Sequence, residues 1–328
     1  MPLVSVIMAT HQRTPYLPLA VRSVLAQTLA DFELVLVDDG AGLSTADLGP
    51  GGDDPRVRMV CLPQNQGIPA GHNAAVAAAT GEFVAFLDAD DVCLPDRLER
   101  QVSVLRADPS VGLCSGLAKA IDETGGVTGR VFSLIDPAQQ RRFSTFDMPV
   151  VCPTMCARAE FVRRHLYREL FTSASDFDFF VRVAESERLA GIAEPLLHYR
   201  CHDAQITRAR RRDQVLGANR ARLATQRRRA GVAEDLTDLA RMGCDDAGEP
   251  WSLGAQYRCF ADASLREGHG LLATYLARKL VSVSRRPADW LHASHVASQA
   301  CRGASTGRVE LMRLFLTGPL RTYGLRPA

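Results

Sequence analysis

The chain has 328 residues, of which 46% are hydrophobic and 23% are charged. This is enough for one large α/β domain, or for a core domain with a helical appendage. The formal net charge of +2 excludes an obvious polyanion binder, so no nucleic-acid partner is expected. The nine cysteines are scattered and form no C-x-x-C pair, which argues against a zinc site and favours free thiols in a reducing cytoplasm.

No apolar run approaches the length of a membrane span, and the first one, residues 3–8, is too short for the core of a signal peptide. A cytoplasmic protein is therefore expected.

Strands and helices alternate at the start of the chain. Core strands are predicted at residues 3–8 and 32–37, with a helix from Leu17 to about Gln27 between them. This order describes a right-handed βαβ unit. The loop at residues 9–13 and the acidic end of the second strand would then lie at one edge of a sheet, where a nucleotide binds.

A third short strand is predicted at residues 57–62, followed by an alanine-rich helix approached through Gly67 and Gly71. Gly81 is expected to stop this helix. His72 and Asn73 fall near its start, where they could face the same site as Asp39. A capping role for Asn73 is an equal alternative.

An apolar run from Phe83 to Leu87 has the length of a buried strand and ends in Asp88, Asp90 and Asp91. Carboxylates are costly to bury, so their place at a strand end favours a site for a cation and its anionic ligand. The small Ala89 between two aspartates lets the backbone turn close to a phosphate. The alternative is a solvated acidic turn with Asp91 capping the next helix.

Further elements follow the acidic run. The pattern predicts a helix at 95–105, a strand at 111–117, a hairpin turn at the glycines near 125, an extended stretch at 146–157, a helix at 173–184 and a strand from Leu196. Loops are expected at 132–144 and near His202. Asp176 falls at the start of the helix at 173–184, where an aspartate is often only an N-cap.

The character of the chain changes beyond Thr207. Residues 208–229 carry nine arginines, and the pattern to Ala328 is mainly helical. A domain at 1–207 and a mainly α-helical region at 208–328 are predicted. The arginine-rich helix is either solvated or a peripheral contact with anionic lipids at the inner membrane face or with an acidic partner. A homo-oligomer is left open.

The segments V-S-V-I-M-A-T-H-Q-R, F-E-L-V-L-V-D-D-G, N-Q-G-I-P-A-G-H-N-A-A, G-E-F-V-A-F-L-D-A-D-D and S-D-F-D-F-F-V-R occur in that order, followed by Y-R-C-H-D-A-Q-I-T. Together they resemble the family 2 glycosyltransferases of GT-A fold, over residues 3 to about 207. The resemblance implies a Rossmann-like mixed sheet with flanking helices. It also implies transfer of a sugar from a nucleotide-sugar donor, with a UDP-linked sugar as the leading candidate, to an unidentified acceptor hydroxyl.

The resemblance also assigns residues. It implies nucleotide contacts at the first loop, the second strand, the helix approach and the D-x-D motif: Thr10, His11, Arg13, Asp39, Gly67, His72, Asp88 and Ala89. It implies Mn²⁺ or Mg²⁺ held by Asp90, with His202 completing the metal or diphosphate contacts. Asp176 would be the base that accepts the acceptor's proton, with Asp178 as its competitor.

The chemistry of such a transfer suits these residue types. A divalent ion neutralises charge on the leaving diphosphate, and a carboxylate on the opposite face accepts the proton of the attacking hydroxyl. One direct displacement inverts the anomeric carbon, so no second nucleophile is needed.

The chain departs from the family's usual pattern at three places. Ala9-Thr10-His11-Gln12 stands where Pro-Thr-Tyr-Asn is common, His72 where arginine is common, and Ser175 where a glutamate precedes the base. The charge of His72 would depend on pH. Ser175 motivates an alternative, a non-catalytic relative that binds a nucleotide sugar or glycan. A nucleotidyltransferase would need a glycine-rich basic loop after the first strand, which A-T-H-Q-R-T-P does not provide.

Overall fold

The structure is a computed structural model that describes residues 1–131, 133–144, 148–203, 205, 211–229, 231–241, 277, 292–296 and 299. The chain divides into two compact units, the first made of Met1–Gln205 with Ala224–Glu234 and the second of Ile206–Leu223 with Asp235–Ala328. Most of the predicted helical region at 208–328 lies outside the described residues, and the boundary near residue 208 stays a prediction. Within the described ranges, no helix is long and apolar enough to cross a membrane.

The strands of the first unit form one mixed sheet. They are β1 (Val4–Thr10), β2 (Phe32–Asp39), β3 (Val57–Leu62), β4 (Phe83–Phe86), β5 (Val92–Cys93), β6 (Val111–Ile121), β7 (Val127–Val131), β8 (Cys156–Arg158) and β9 (Arg188–Arg200). Their order is β3-β2-β1-β4-β8-β6-β9-β5, with β7 paired to β6. The first four strands are mutually parallel, whereas β8, β5 and β7 run antiparallel to their neighbours.

Helices cover both faces of this sheet. In the first unit they are α1 (Leu17–Leu25), α2 (Ile68–Ala78), α3 (Arg97–Ala107), α4 (Pro137–Phe143), α5 (Ala159–Arg164) and α6 (Ser175–Ser186). Two further helices are α7 (Arg211–Arg229) and α8 (Leu236–Arg241). One apolar core packs α1 and α3 on the sheet, and a second packs α2, α5 and α6 on its other face. Successive side chains of β1 alternate between them, as the pleat of a strand requires.

The strand order places a topological switch beside β1. The chain runs outward from β1 through β2 to β3 and then returns to pair β4 on the other side of β1. Loops that leave β1 and β4 therefore diverge and open a crevice at the carboxyl edge of the sheet. The loop after Thr10 and the acidic turn after β4 border this crevice.

Three elements differ from those expected. The predicted loop at 132–144 contains α4, whose N-cap Asp136 accepts a hydrogen bond from the Gln139 amide at 3.0 Å. The stretch at 146–157 forms a 3-10 turn at Cys152–Thr154 and only a short strand, with residues 145–147 outside the described part. Strand β9 begins at Arg188, eight residues before the predicted start at Leu196, because its first half pairs in parallel with β6.

Gly81 has a different role from the one expected. Helix α2 ends at Ala78, and Ala79 is already extended, so no left-handed glycine closes the helix. A Cβ atom on Gly81 would lie 2.6 Å from the Ser5 amide nitrogen and 2.9 Å from its hydroxyl oxygen. Glycine is therefore required by the close approach of the chain to β1.

We expect Gly81→Ala to lower the free energy of unfolding by about 2 kcal/mol, since backbone atoms of β1 must shift to admit the methyl group. Gly129→Ala is the matched control, because a Cβ at Gly129 meets no heavy atom within 4 Å. Urea denaturation of both variants measures the effect. Equal stability of the two variants would contradict the close-approach explanation.

Candidate active site

The acidic turn after β4 gathers three carboxylates. One oxygen from each of Asp88, Asp90 and Asp91 lies within 4.8 Å of the others. Asp88 and Asp90 are half-buried and Asp91 is fully buried, while Ala89 packs partly against the core. The alternative of a solvated turn is therefore wrong for Asp91. Asp91 does not cap α3 either, because its Oδ1 accepts a hydrogen bond from the Arg200 amide at 2.8 Å.

The negative charge of the turn is only partly compensated. Asp91 Oδ2 is buried without a hydrogen-bond partner among the described residues. Burial, followed by the charges of Asp90 and Asp88, raises the pKa of Asp91 well above its ordinary value. Burial and the charges of Asp90 and Asp176 raise the pKa of Asp88 to about 7. An incompletely bonded set of hard oxygen donors of this kind fits a divalent cation such as Mg²⁺ or Mn²⁺.

A buried arginine lies behind the turn. Arg97 is fully buried, and its guanidinium donates hydrogen bonds to the Phe86 carbonyl at 2.7 Å and to Gln101 Oε1 at 3.0 Å. Its charge lowers the pKa of Asp88, against the larger effect of burial. Arg97 therefore ties the end of β4 to α3 and offsets part of the negative charge.

The end of β9 brings a histidine to the turn. His202 is 8% exposed, and its Nε2 lies 2.9 Å from Asp90 Oδ2. Arg200 donates from Nε to the Asp90 carbonyl at 2.9 Å. Together with the bond from the Arg200 amide to Asp91, these contacts join the end of β9 to the acidic turn across 109 to 112 residues of sequence.

The two aspartates that end β2 point to opposite faces of the sheet and accept hydrogen bonds from different segments. Asp38 accepts hydrogen bonds from the Ala41 and Leu43 amides and so shapes the following loop. Asp39 accepts from the Gln66 and Gly67 amides at 2.7 and 2.9 Å. Asp39 and Gly67 are thus brought together, and Gly67 has a φ of +91°, which favours glycine.

The candidate residues of the first loop differ in burial and in their partners. Thr10 is buried and its hydroxyl donates to the Gln12 carbonyl at 3.0 Å, whereas His11 is half-buried. Arg13 pairs with Asp47 at 2.9 Å and donates to the Gly42 carbonyl at 2.7 Å. Its guanidinium is therefore engaged with the loop after β2, on a side chain that is 61% exposed.

Two residues near the start of α2, His72 and Asn73, contact Tyr167. Asn73 bonds both the carbonyl and the amide of Tyr167, at 2.8 and 2.9 Å, so its alternative role as a helix cap is wrong. The His72 ring lies 4.8 Å from the Tyr167 ring. His72 Nδ1 donates to the Ile68 carbonyl at 2.9 Å, since a carbonyl can only accept. Burial lowers the pKa of His72, which favours the neutral ring.

The two carboxylates of α6 have different surroundings. Asp178 is fully buried and paired with Arg168 and Arg182, at 2.9 and 3.0 Å for the Nε contacts. Asp176 is half-buried, lies within the first turn and is not the N-cap, which is Ala174. Its charge raises the pKa of Asp88, after the larger effects of burial and of Asp90.

The charges of Asp176 and Asp88 also act on two more side chains, Cys152 and Tyr167. Burial raises the pKa of the Cys152 thiol and of the Tyr167 phenol, and the charges of Asp176 and Asp88 raise both pKa values further. Sequence reasoning missed Cys152, Tyr167, Arg97 and Arg200. Arg200 is the arginine of the Y-R-C-H motif, which was a usable signal. Nothing in the sequence marked the others, because long-range packing brings them to the site.

The sequence profile of the family described as Glycosyl transferase family 2 matches residues 5–167. An uncharacterized glycosyltransferase of Methanocaldococcus jannaschii is 30% identical over 209 residues, which cover 61% of this chain and 71% of that protein. The succinoglycan biosynthesis protein ExoO of Rhizobium meliloti is 33% identical over 150 residues, covering 45% of this chain and 41% of that protein. The chain thus aligns with less than half of ExoO.

A crystal structure of S. aureus TarS 1-349 in complex with UDP-GlcNAc superimposes with a TM-score of 0.58 at 16% identity, covering 94% of this chain and 83% of that one. The same TarS fragment has also been solved with UDP, with a TM-score of 0.55. The predicted GT-A fold, with its mixed sheet and flanking helices, is therefore confirmed.

The acidic turn is expected to destabilise the metal-free protein. The pKa of Asp88 is about 7 when folded, against an ordinary value of 3.8, so the folded state binds more protons between these values. Its stability then falls as the pH rises through that window. Asp88→Asn should raise the free energy of unfolding by on the order of 2 kcal/mol at pH 8 and by much less at pH 4.

Chemical denaturation in EDTA at both pH values measures this effect, with the exposed Asp53→Asn as control. A gain at pH 4 as large as that at pH 8 would refute the electrostatic origin.

Proposed function

Because this chain belongs to glycosyltransferase family 2, we propose that it is an inverting, metal-dependent enzyme that moves a sugar from a UDP-linked donor to an acceptor hydroxyl. The predicted family and the predicted enzyme class, a glycosyltransferase, are confirmed. The observation that carries the finer proposal is the set of three carboxylates at the end of β4, with one oxygen from each of Asp88, Asp90 and Asp91 within 4.8 Å of the others. The charge of Asp176 acts on this turn as well, since it raises the pKa of Asp88.

A divalent cation would be held by Asp90 together with its neighbours Asp88 and Asp91. His202, which contacts Asp90, would complete the metal or diphosphate contacts. Asp91 Oδ2, which is buried without a hydrogen-bond partner in the part of the chain that the structure describes, and the close set of three carboxylates support this assignment. When bound, Mn²⁺ or Mg²⁺ supplies charge neutralisation at the leaving diphosphate.

Asp176 is proposed as the base. An inverting displacement needs a carboxylate within hydrogen-bond reach of the attacking hydroxyl, on the face of the sugar opposite the leaving group. The charge of Asp176 acts on the acidic turn by raising the pKa of Asp88, whereas Asp178 is held by the half-buried guanidinium groups of Arg168 and Arg182. A carboxylate that forms two such ion pairs is a poor proton acceptor. The contacts therefore favour Asp176 over Asp178.

The proposal also names a donor and an acceptor. Asp39, with its oxygens held by the Gln66 and Gly67 amides at the crevice, is the proposed contact for the nucleoside. The complexes of TarS with UDP and UDP-GlcNAc support a uridine nucleotide. The name of ExoO supports a hydroxyl acceptor in polysaccharide synthesis. Glycolipid and secondary-metabolite acceptors suit the same site.

The arginine-rich segment contributes to the first unit. Arg228 and Arg229 pair with Glu185 of α6, at 2.6 and 3.4 Å. These two arginines therefore stabilise the unit that carries Asp176. Peripheral contact of the remaining arginines with anionic lipids, and a homo-oligomer, stay predictions.

The metal proposal predicts that UDP raises the melting temperature strongly only when Mn²⁺ is present, since a ligand stabilises the state it binds. Asp90→Ala should abolish the Mn²⁺-dependent part and reduce sugar transfer at least a hundredfold. Thermal melts with UDP, GDP and CDP, each with Mn²⁺ or EDTA, measure the first effect. Equal stabilisation by UDP in EDTA would count against a metal-dependent site.

The base proposal predicts that Asp176→Asn lowers kcat by at least a hundredfold while the Kd for UDP stays within twofold of wild type. Asp178→Asn is the control, because it leaves Arg168 and Arg182 without their shared carboxylate and should lower stability by about 3 kcal/mol. Its remaining folded fraction should retain most activity. Nucleotide release from a panel of donor sugars gives the rates, and binding without turnover in the wild type would favour the non-catalytic alternative.

A further inference from the structure

Tyr16 lies directly before α1, after the loop at residues 11–15, and belongs to none of the motifs discussed above. Its half-buried ring contacts two side chains from the end of β9. The Arg200 guanidinium carbon lies 4.5 Å from the ring centroid, and the His202 imidazole centroid lies 5.0 Å away at an interplanar angle of 46°. The ring therefore joins the start of α1 to the histidine at the acidic turn.

Arg200 is the fixed partner in this group. It is 2% exposed, and its Nε donates to the Asp90 carbonyl at 2.9 Å. Its Nη1 donates to the carbonyls of Asp122 and Glu123 at 3.0 and 3.2 Å. A guanidinium held by three carbonyls cannot follow a moving ring, so its cation–π contact fixes Tyr16 in turn.

His202 is the partner that needs support. In the described part of the chain, the imidazole makes one hydrogen bond, from Nε2 to Asp90 Oδ2 at 2.9 Å. One hydrogen bond leaves a ring free to tilt about that contact. The face of Tyr16 supplies a second contact and so limits the orientations in which the imidazole meets Asp90.

We propose that Tyr16 is a positioning residue, which holds the His202 imidazole on Asp90 through its stack with the anchored Arg200. The orientation of the carboxylate at the acidic turn then depends on an aromatic ring at the residue that precedes α1. The expected consequence for cation affinity rests on the proposed function, whereas the positioning of the imidazole does not. Partners that orient a metal-binding group typically change metal affinity 10- to 100-fold when removed.

The test compares Tyr16→Leu, which removes the ring, with Tyr16→Phe, which retains it. Tyr16→Met is a second ring-free variant in case the leucine variant does not fold. Phe32→Leu is the matched control, because it removes an aromatic face from Arg56, whose guanidinium carbon lies 4.6 Å from the Phe32 ring at the opposite end of β2. It reports the effect of a lost cation–π pair away from the acidic turn.

The first readout is the NMR signal of the His202 ring in ¹⁵N-histidine-labelled protein without metal or nucleotide, assigned with His202→Ala. The ¹⁵N shift of Nε2, which depends mainly on its hydrogen bond to Asp90 and little on the ring current of Tyr16, should change in the ring-free variants and stay near its wild-type value in Tyr16→Phe and Phe32→Leu. An unchanged His202 signal in a folded ring-free variant would overturn the proposal, as would an equal shift in Phe32→Leu.

The second readout is the Kd for Mn²⁺, measured by EPR of the free ion with UDP at a saturating concentration. Ring-free variants should bind Mn²⁺ about tenfold more weakly, and Tyr16→Phe should stay within twofold of wild type. A Tyr16→Phe variant as weak as Tyr16→Leu would overturn the role of the ring. If His202→Ala binds Mn²⁺ like wild type, the metal role of His202 in the proposed function fails, while a shifted His202 signal still supports the positioning role.

Discussion

The electrostatic repulsion among three carboxylates at the end of β4 governs the surrounding structure. Burial and mutual charge raise the pKa values of Asp88 and Asp91, so the turn is unfavourable in the absence of a cation. Arg97 behind the turn, and amide and imidazole groups from the end of β9, offset part of this unfavourable electrostatic energy. Such local instability is typical of sites that bind a charged ligand.

Charge compensation also separates the roles of neighbouring acids. Asp38 and Asp39 are adjacent but have different partners. Asp38 accepts hydrogen bonds from amides of the loop that follows β2, whereas Asp39 accepts them from the amides of Gln66 and Gly67 before α2. Asp178 is paired with two arginines, whereas the charge of Asp176, two residues earlier, raises the pKa of Asp88 in the acidic turn. In both pairs, neighbouring residues of the same type have different electrostatic surroundings.

The ring of Tyr16 gives the site a further constraint. His202 arrives from the end of β9 and Asp90 from the turn after β4, so their meeting depends on two distant segments. Arg200, anchored on carbonyls, and Tyr16, placed by the start of α1, together restrict the imidazole. The residue that precedes α1 thus contributes to the geometry of the acidic turn.

The sequence by itself determined the βαβ start, the buried strand ending in acids and the family, because apolar periodicity and the order of short motifs are local properties. It could not place α4 within residues 132–144 or the early start of β9, which depends on pairing with β6. Only the tertiary structure separated Asp176 from Asp178, gave Asn73 its bonds to Tyr167, and set Tyr16, Arg97 and Arg200 around the turn. These arrangements depend on contacts between residues far apart in the chain, which a local sequence pattern does not predict.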